Sequence, residues 1–201
     1  NVRQYADTGM GEERIAVYPG TFDPLTSGHE CLIRRGLELF DTVIVAVARD
    51  CGKNPLFTLE ERVDIVREVF GSTPGVKVMP FAGLLVEFAA ANNAKAILRG
   101  LRAVSDFDYE FQMALMNRKL EKRVQTIFLM SDLRWMYISS TNIRNVASLG
   151  GDVRRLVPDT VIPRLRRAYG LPETWPEVSV GSKSLLGAAA CSVPETENGA
   201  D

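Results

Sequence analysis

From Arg14 onward, short apolar runs alternate with segments whose apolar residues recur every three or four positions. The run beginning Arg14-Ile15-Ala16-Val17 predicts a strand over residues 14–18, and a helix follows from about residue 28 to residue 40. Residues 42–48 (Thr-Val-Ile-Val-Ala-Val-Ala) are apolar nearly throughout, as in a strand buried on both faces. Thr58-Leu-Glu-Glu61 reads as a capping box, and Val63, Val66, Val69 and Phe70 mark one face of the helix it opens. The alternation continues with a strand at 76–81, a helix near 84–92, a strand at 96–98, a long helix from about 106 to 120 and a strand at 126–130. Ser139, Ser140 and Thr141 then offer caps for one more helix. Strands alternating with helices imply right-handed βαβ units. The expected fold is therefore α/β, Rossmann-like and doubly wound, with a five-stranded, mainly parallel sheet, helices on both faces and ligands at the carboxyl ends of the strands.

The two ends fall outside this pattern. Residues 1–13 carry no apolar periodicity and read as a disordered extension or a cloning remnant; after Leu171 the chain turns to Pro, Gly, Ser, Ala and Thr, so 171–201 read as a disordered tail. One domain over 14–170 remains, and 46% hydrophobic residues in a 201-residue chain supply an ample core. Twenty-four basic against 25 acidic side chains give a net charge of −1, which provides no overall field for nucleic acid or a membrane surface. Any anion site must be local. Cys31, Cys51 and Cys191 are odd in number and widely spaced, which indicates neither a disulfide framework nor a zinc site and suits a reducing cytoplasm. No stretch of about 18 apolar residues suggests a membrane span.

The chemistry concentrates where strands end. The first strand feeds the run Tyr18-Pro-Gly-Thr-Phe-Asp-Pro-Leu-Thr-Ser-Gly-His29, which ends on the only histidine of the chain. A strand, a Gly/Pro-punctuated turn and a helix start together form a phosphate site, because backbone N–H groups and the positive end of the helix dipole converge there. Thr21 and His29, Lys53, Arg99 and Arg102, and the 135–144 segment all fall just past strand ends, so one crevice would gather them. Arg99 directly ends the 96–98 strand and precedes Gly100.

Thr26-Ser27-Gly28-His29 together with Ile138-Ser139-Ser140-Thr141-Asn142-Ile143-Arg144 resembles the paired signatures of the nucleotidyltransferase superfamily. Tyr18-Pro-Gly-Thr-Phe-Asp-Pro24, Phe57-Thr-Leu-Glu-Glu-Arg62 and Arg99-Gly-Leu-Arg-Ala-Val-Ser-Asp-Phe-Asp-Tyr-Glu110, in that order, narrow the resemblance to the bacterial phosphopantetheine adenylyltransferases. It is continuous from about residue 14 to residue 170, and the 99–110 run discriminates the family. One departure stands at Asn142-Ile143-Arg144-Asn145, where an acidic residue is expected after the basic one; it leaves the role of Arg144 open.

The resemblance implies transfer of an adenylyl group from ATP to 4′-phosphopantetheine, giving dephospho-coenzyme A and pyrophosphate in the penultimate step of coenzyme A synthesis. The attacking phosphate is already anionic, so catalysis rests on holding two anions in line and stabilising the charge that builds at the α-phosphate. On this resemblance His29 is a transition-state stabiliser, and Thr21, Lys53 and Arg102 are catalytic with it. Thr21, Lys53, Leu85 and Arg99 match the acceptor contacts. Thr21, Phe22, His29, Gly100, Leu101, Arg102 and Glu110 match the ATP contacts, as do Trp135, Met136, Tyr137, Ile138, Ser139, Ser140 and Thr141. Mg²⁺ is expected, held by substrate and water rather than by a protein cage. Coenzyme A is a candidate feedback inhibitor. The long helix, with Phe107, Phe111, Ala114 and Leu115 on one side, would meet a neighbour in a homohexamer. Two competing readings are another nucleotidyltransferase, such as a nicotinate-mononucleotide adenylyltransferase or a cytidylyltransferase, and a nucleotide-binding module without turnover.

Overall fold

A computed structural model describes residues 12–49, 54–102 and 104–172. In chain order the elements are β1 (Ile15–Gly20), α1 (Ser27–Leu39), β2 (Thr42–Ala48), α2 (Leu59–Phe70), β3 (Val76–Phe81), α3 (Leu85–Ala91), β4 (Ala96–Leu101), α4 (Val104–Leu120), β5 (Gln125–Met130), a 3-10 turn at Leu133–Trp135, α5 (Ser140–Ser148) and α6 (Val161–Ala168). The five strands form one wholly parallel sheet in the order β3-β2-β1-β4-β5. The chain winds outward from β1 in one direction and, after α3, from β4 in the other. The boundary between β1 and β4 is therefore the switch point, at whose carboxyl edge such sheets hold their ligands.

Alternation along the strands separates two cores. Ala16, Tyr18, Val43, Val45 and Val47 face the side covered by α1, α2, α5 and α6, where Leu32, Ile33, Val66, Phe70, Ile143 and Leu165 are buried. Ile15, Val17, Ile44 and Ala46 face the other side, against Val86 and Ala89 of α3. Full burial of each large aliphatic or aromatic side chain contributes about 1.5 to 3 kcal/mol, so β2, closed on both faces, anchors the layers. The Thr58 capping box forms as expected: Glu61 N–H donates to Thr58 Oγ1 at 3.2 Å and Thr58 N–H to Glu61 Oε2 at 2.9 Å.

Three features depart from the sequence expectation. β4 runs three residues beyond the predicted 96–98, so Arg99, Gly100 and Leu101 lie inside the strand and pair with Phe128, Leu129 and Met130. Gly100 is no strand terminator; it admits the Leu32 side chain, whose Cδ1 would lie 2.3 Å from a Cβ at that position. Contacts of the fold also begin before residue 14, since Glu12 pairs with Lys95 at 3.2 Å and Glu13 with Lys77 at 3.8 Å. Helix α6, which the periodicity argument does not name, buries Val161 and Leu165 in the first core. Lys53, Cys51 and Cys191 lie outside the described residues.

Candidate active site

The parallel ladder splits at the switch point. β1 pairs with β2 along its whole length, from Ile15↔Thr42 to Gly20↔Val47, but with β4 only at Ala16↔Ala96 and Val17↔Ile97. Beyond that point β1 and β4 diverge, and Pro19 in the diverging stretch has no N–H to continue a ladder. The gap is a cavity of about 230 Å³, lined by Tyr18 and Pro19 of β1, Gly28 and His29 of α1, Arg99 and Gly100 of β4, and Arg102, Glu110, Trp135, Ile138 and Ser140. Sequence reasoning expected six of these residues in one crevice, His29, Arg99, Arg102, Trp135, Ile138 and Ser140, and the family resemblance added Gly100 and Glu110 as ATP contacts.

His29 is fixed by the start of its own helix. Thr26 is the N-cap, its Oγ1 accepting from the His29 N–H at 3.3 Å. The Thr26 backbone N–H donates to His29 Nδ1 at 3.1 Å, which completes a capping box with a histidine in place of the usual Glu or Gln. A backbone N–H can only donate, so Nδ1 is bare and the neutral ring carries its proton on Nε2. Burial, with Arg102 adding repulsion, pushes the imidazole down to about 4. His29 is thus a neutral N–H donor at the cavity wall. Because it is the sole histidine, its ring nitrogens give one unambiguous pair of NMR signals. The Nε2–H tautomer should persist from pH 8 to pH 5.5, with protonation only near pH 4; a midpoint at 6.5 would overturn this account. The linked stability follows in sign: between about 6.5 and 4 the unfolded chain takes up a proton that the folded chain refuses, so stability falls as pH is lowered through that window.

The guanidinium groups are held in place as well. Arg99 and Glu110 form a bidentate pair, Nε to Oε2 at 2.7 Å and Nη2 to Oε1 at 2.5 Å. Arg102 reaches the Ile138 carbonyl at 3.4 Å and Asp106 at 3.5 Å. Arg99 and Glu110 also wall a second cavity of about 470 Å³, which Leu85 lines with Phe81, Leu84 and Met113. This more apolar chamber therefore adjoins the polar one across a single ion pair.

Thr21, Phe22, Leu101, Met136, Tyr137, Ser139 and Thr141 do not line this cavity. Thr21 is exposed just past β1, its carbonyl accepting from Arg62 Nη1 at 2.8 Å. Phe22 is 1% exposed, with φ +50°; its ring stands edge-on to His29 at 5.2 Å and supports the imidazole instead of facing the cavity. Leu101 is buried likewise. Ser139 is the N-cap of α5, accepting from Asn142 N–H at 3.1 Å, and Ser140 Oγ donates to the Pro24 carbonyl at 2.8 Å. Met136, Tyr137 and Thr141 are exposed.

Two residues without an assigned role turn out to organise the loop. Arg62, 1% exposed, donates to the carbonyls of Thr21 and Ala48 at 2.8 Å and of Phe57 at 3.2 Å, joining the turn after β1, the end of β2 and the approach to α2. The signal was a charged residue inside the apolar stripe of α2, one step from Val63 and four from Val66. Asp23 is also buried; it accepts the N–H groups of Leu56 and Phe57 at 2.9 Å and pairs with Arg144 at 2.8 Å, which supplies the role that the sequence left open for Arg144.

Known proteins resemble this chain over most of the described fold. Residues 17–146, from β1 into α5, match the cytidylyltransferase-like family model. The phosphopantetheine adenylyltransferase of Nitratidesulfovibrio vulgaris is 63% identical over 165 residues, covering 81% of this chain and 89% of that protein. The chain belongs to the phosphopantetheine adenylyltransferase family. Proteins of the same name from Oleidesulfovibrio alaskensis (57% identical, covering 82% of this chain and 96% of that one) and Lawsonia intracellularis (58%, covering 78% and 91%) agree. A solved Vibrio parahaemolyticus structure described as a candidate nicotinate-nucleotide adenylyltransferase shares the fold at TM-score 0.56 and 19% identity, covering 79% of this chain and 96% of that one. Both cavities are lined from within residues 17–146, the segment that the cytidylyltransferase-like family model matches, and α6 lies beyond it.

Proposed function

We propose that the chain transfers the adenylyl group of ATP to 4′-phosphopantetheine, releasing dephospho-coenzyme A and pyrophosphate. The observation that carries this reading is a cavity of neutral and cationic donors at the switch point of a chain 63% identical to a named phosphopantetheine adenylyltransferase. In the reaction, an acceptor phosphate oxygen attacks the α-phosphorus of ATP in line. One P–O bond forms as the bond to the bridging oxygen of the β-phosphate breaks, and pyrophosphate carries away the electron pair. No proton need be removed from the attacking group, which suits a histidine that presents Nε2–H and stays neutral down to about pH 4. His29 would donate to the α-phosphate as charge builds there, with Arg102 beside it. Thr21, Lys53 and Arg99 would hold the acceptor phosphate, and the apolar chamber bearing Leu85 would take the pantetheine arm. The nucleotide would lie along Gly100, Glu110 and the 135–141 stretch.

Mg²⁺ belongs to the same proposal. Among the described residues no three His, Cys, Asp or Glu side chains come together, and Asp23, Asp106 and Glu110 each face an arginine, so its ligands would be phosphate oxygens and water. When bound it would neutralise phosphate charge. Coenzyme A as an inhibitor fits two adjoining chambers, because it contains both a nucleotide and a pantetheine arm. Tyr109, Leu115, Met116 and Leu120 leave α4 with exposed apolar side chains, which supports assembly into a homohexamer. A light-scattering mass near six chains is expected; a monomer mass would refute assembly. Among the described residues no helix is long and apolar enough to cross a membrane, and the proposal assigns the reaction to the cytoplasm.

The deciding experiment is pyrophosphate release with ATP and Mg²⁺, comparing 4′-phosphopantetheine, nicotinate mononucleotide and no acceptor. Release dependent on phosphopantetheine supports the proposal. Release with the mononucleotide alone replaces the substrate, and no release with any acceptor refutes the enzymatic reading.

A further inference from the structure

Tyr18 stands in β1 at the floor of the switch-point cavity, 6% exposed. Its ring packs edge-on to Phe22 at 5.7 Å and lies 6.4 Å from the His29 ring, contacts that a phenylalanine would make equally well. The hydroxyl is what packing does not explain. Among the described residues no protein group hydrogen-bonds to it, and it is not sealed from solvent, since Tyr18 lines the cavity. The cationic groups that act on it are Arg99 and Arg102, which line the same cavity. Burial raises the phenol well above its ordinary range despite the pull of those two guanidinium groups, so it keeps its proton and can donate. Tyr18 and His29 thus form a pair of neutral donors, one O–H and one N–H, between two cations.

We propose that the Tyr18 hydroxyl, open to the cavity beside His29, Arg99 and Arg102 and without a hydrogen bond from the described residues, donates a hydrogen bond to a phosphate oxygen of the bound substrates. The inference rests on the proposed adenylyl transfer and adds a binding residue to it. A neutral donor suits this place. A third cation would raise affinity for every anion, whereas an O–H of fixed position discriminates by geometry, favouring the oxygen that gains charge as the α-phosphate is attacked. The phosphate could be that of ATP or that of the acceptor, and the measurements below separate the two.

The test is Tyr18→Phe, which removes only the oxygen. Melting temperature, pyrophosphate release and calorimetric affinities for ATP and for 4′-phosphopantetheine are measured on the full chain beside the wild type. The expected result is a melting temperature close to that of the wild type, because no protein hydrogen bond is lost, together with a loss of tenfold or more in kcat/KM. A fall confined to kcat marks a transition-state contact; weaker binding of ATP alone, or of the acceptor alone, names the phosphate. A lowered melting temperature would mean that the hydroxyl has a protein partner, and either that or unchanged kinetics overturns the inference. Wild-type protein inert toward phosphopantetheine would instead defeat the proposed function, so the two failures are distinct.

Discussion

Replacing His29 with alanine is expected to lower turnover roughly 100- to 1000-fold, about 3 to 4 kcal/mol in barrier, while leaving both substrate affinities nearly unchanged. The magnitude is that of one donor aimed at charge that develops only during reaction. The structure makes the assignment specific, because Nδ1 is occupied by the Thr26 N–H and only Nε2–H can face the phosphate. A base in the same position would have to lose that proton first. The substitution also removes one half of the α1 capping box, and a modest loss of stability of about 1 kcal/mol should accompany it. Pyrophosphate-release kinetics under saturating substrates check the first effect and thermal melting the second. Turnover within twofold of wild type would take His29 out of the chemistry.

Arg62→Ala is expected to cost about 3 to 5 kcal/mol of stability, the usual scale for breaking a buried charged network. In a domain of this size the melting temperature should fall by on the order of 10 °C. Three carbonyls on three separate segments lose their common donor, and a cavity opens where the largest of the fully buried side chains stood. Activity should fall with stability, since the Thr21 turn is one of the three segments. Lysine in its place should recover little, because one ammonium cannot reach carbonyls that a planar guanidinium spans. A melting temperature within 2 °C of wild type for the alanine variant would show that the three carbonyls find other donors.

The strand pattern was legible because the central strands are buried on both faces. Residues 42–48 emerge with the predicted bounds for that reason; the edge strand 76–81, only partly buried, does so as well, and the five parallel strands follow from the alternation. β4 came out short because a glycine after a charged residue resembles a stop; the Leu32 side chain that occupies the space above Gly100 comes from a helix 68 positions earlier, which local sequence does not express. Crevice residues were legible where they end strands or cap helices. Arg62 and Asp23 were not, since their partners are backbone groups whose proximity exists only after folding. Tyr18 was visible as part of a motif, but only the folded cavity separates its hydroxyl from its ring. The two ends of the chain and Lys53 fall outside the described residues.

The Arg99–Glu110 pair has a thermodynamic corollary. One guanidinium and one carboxylate, each facing both chambers, are each other's counter-ions while neither ligand is bound. A ligand that recruits Arg99 from one side weakens its hold on Glu110 and alters the charge that the other side presents. The free energy of that exchange enters both binding equilibria equally, so whatever one ligand does to the affinity of the second, the second must do to the first. Two ligands that never touch the same wall would be independent; ligands held in these two chambers would share one, and their binding would be coupled through it.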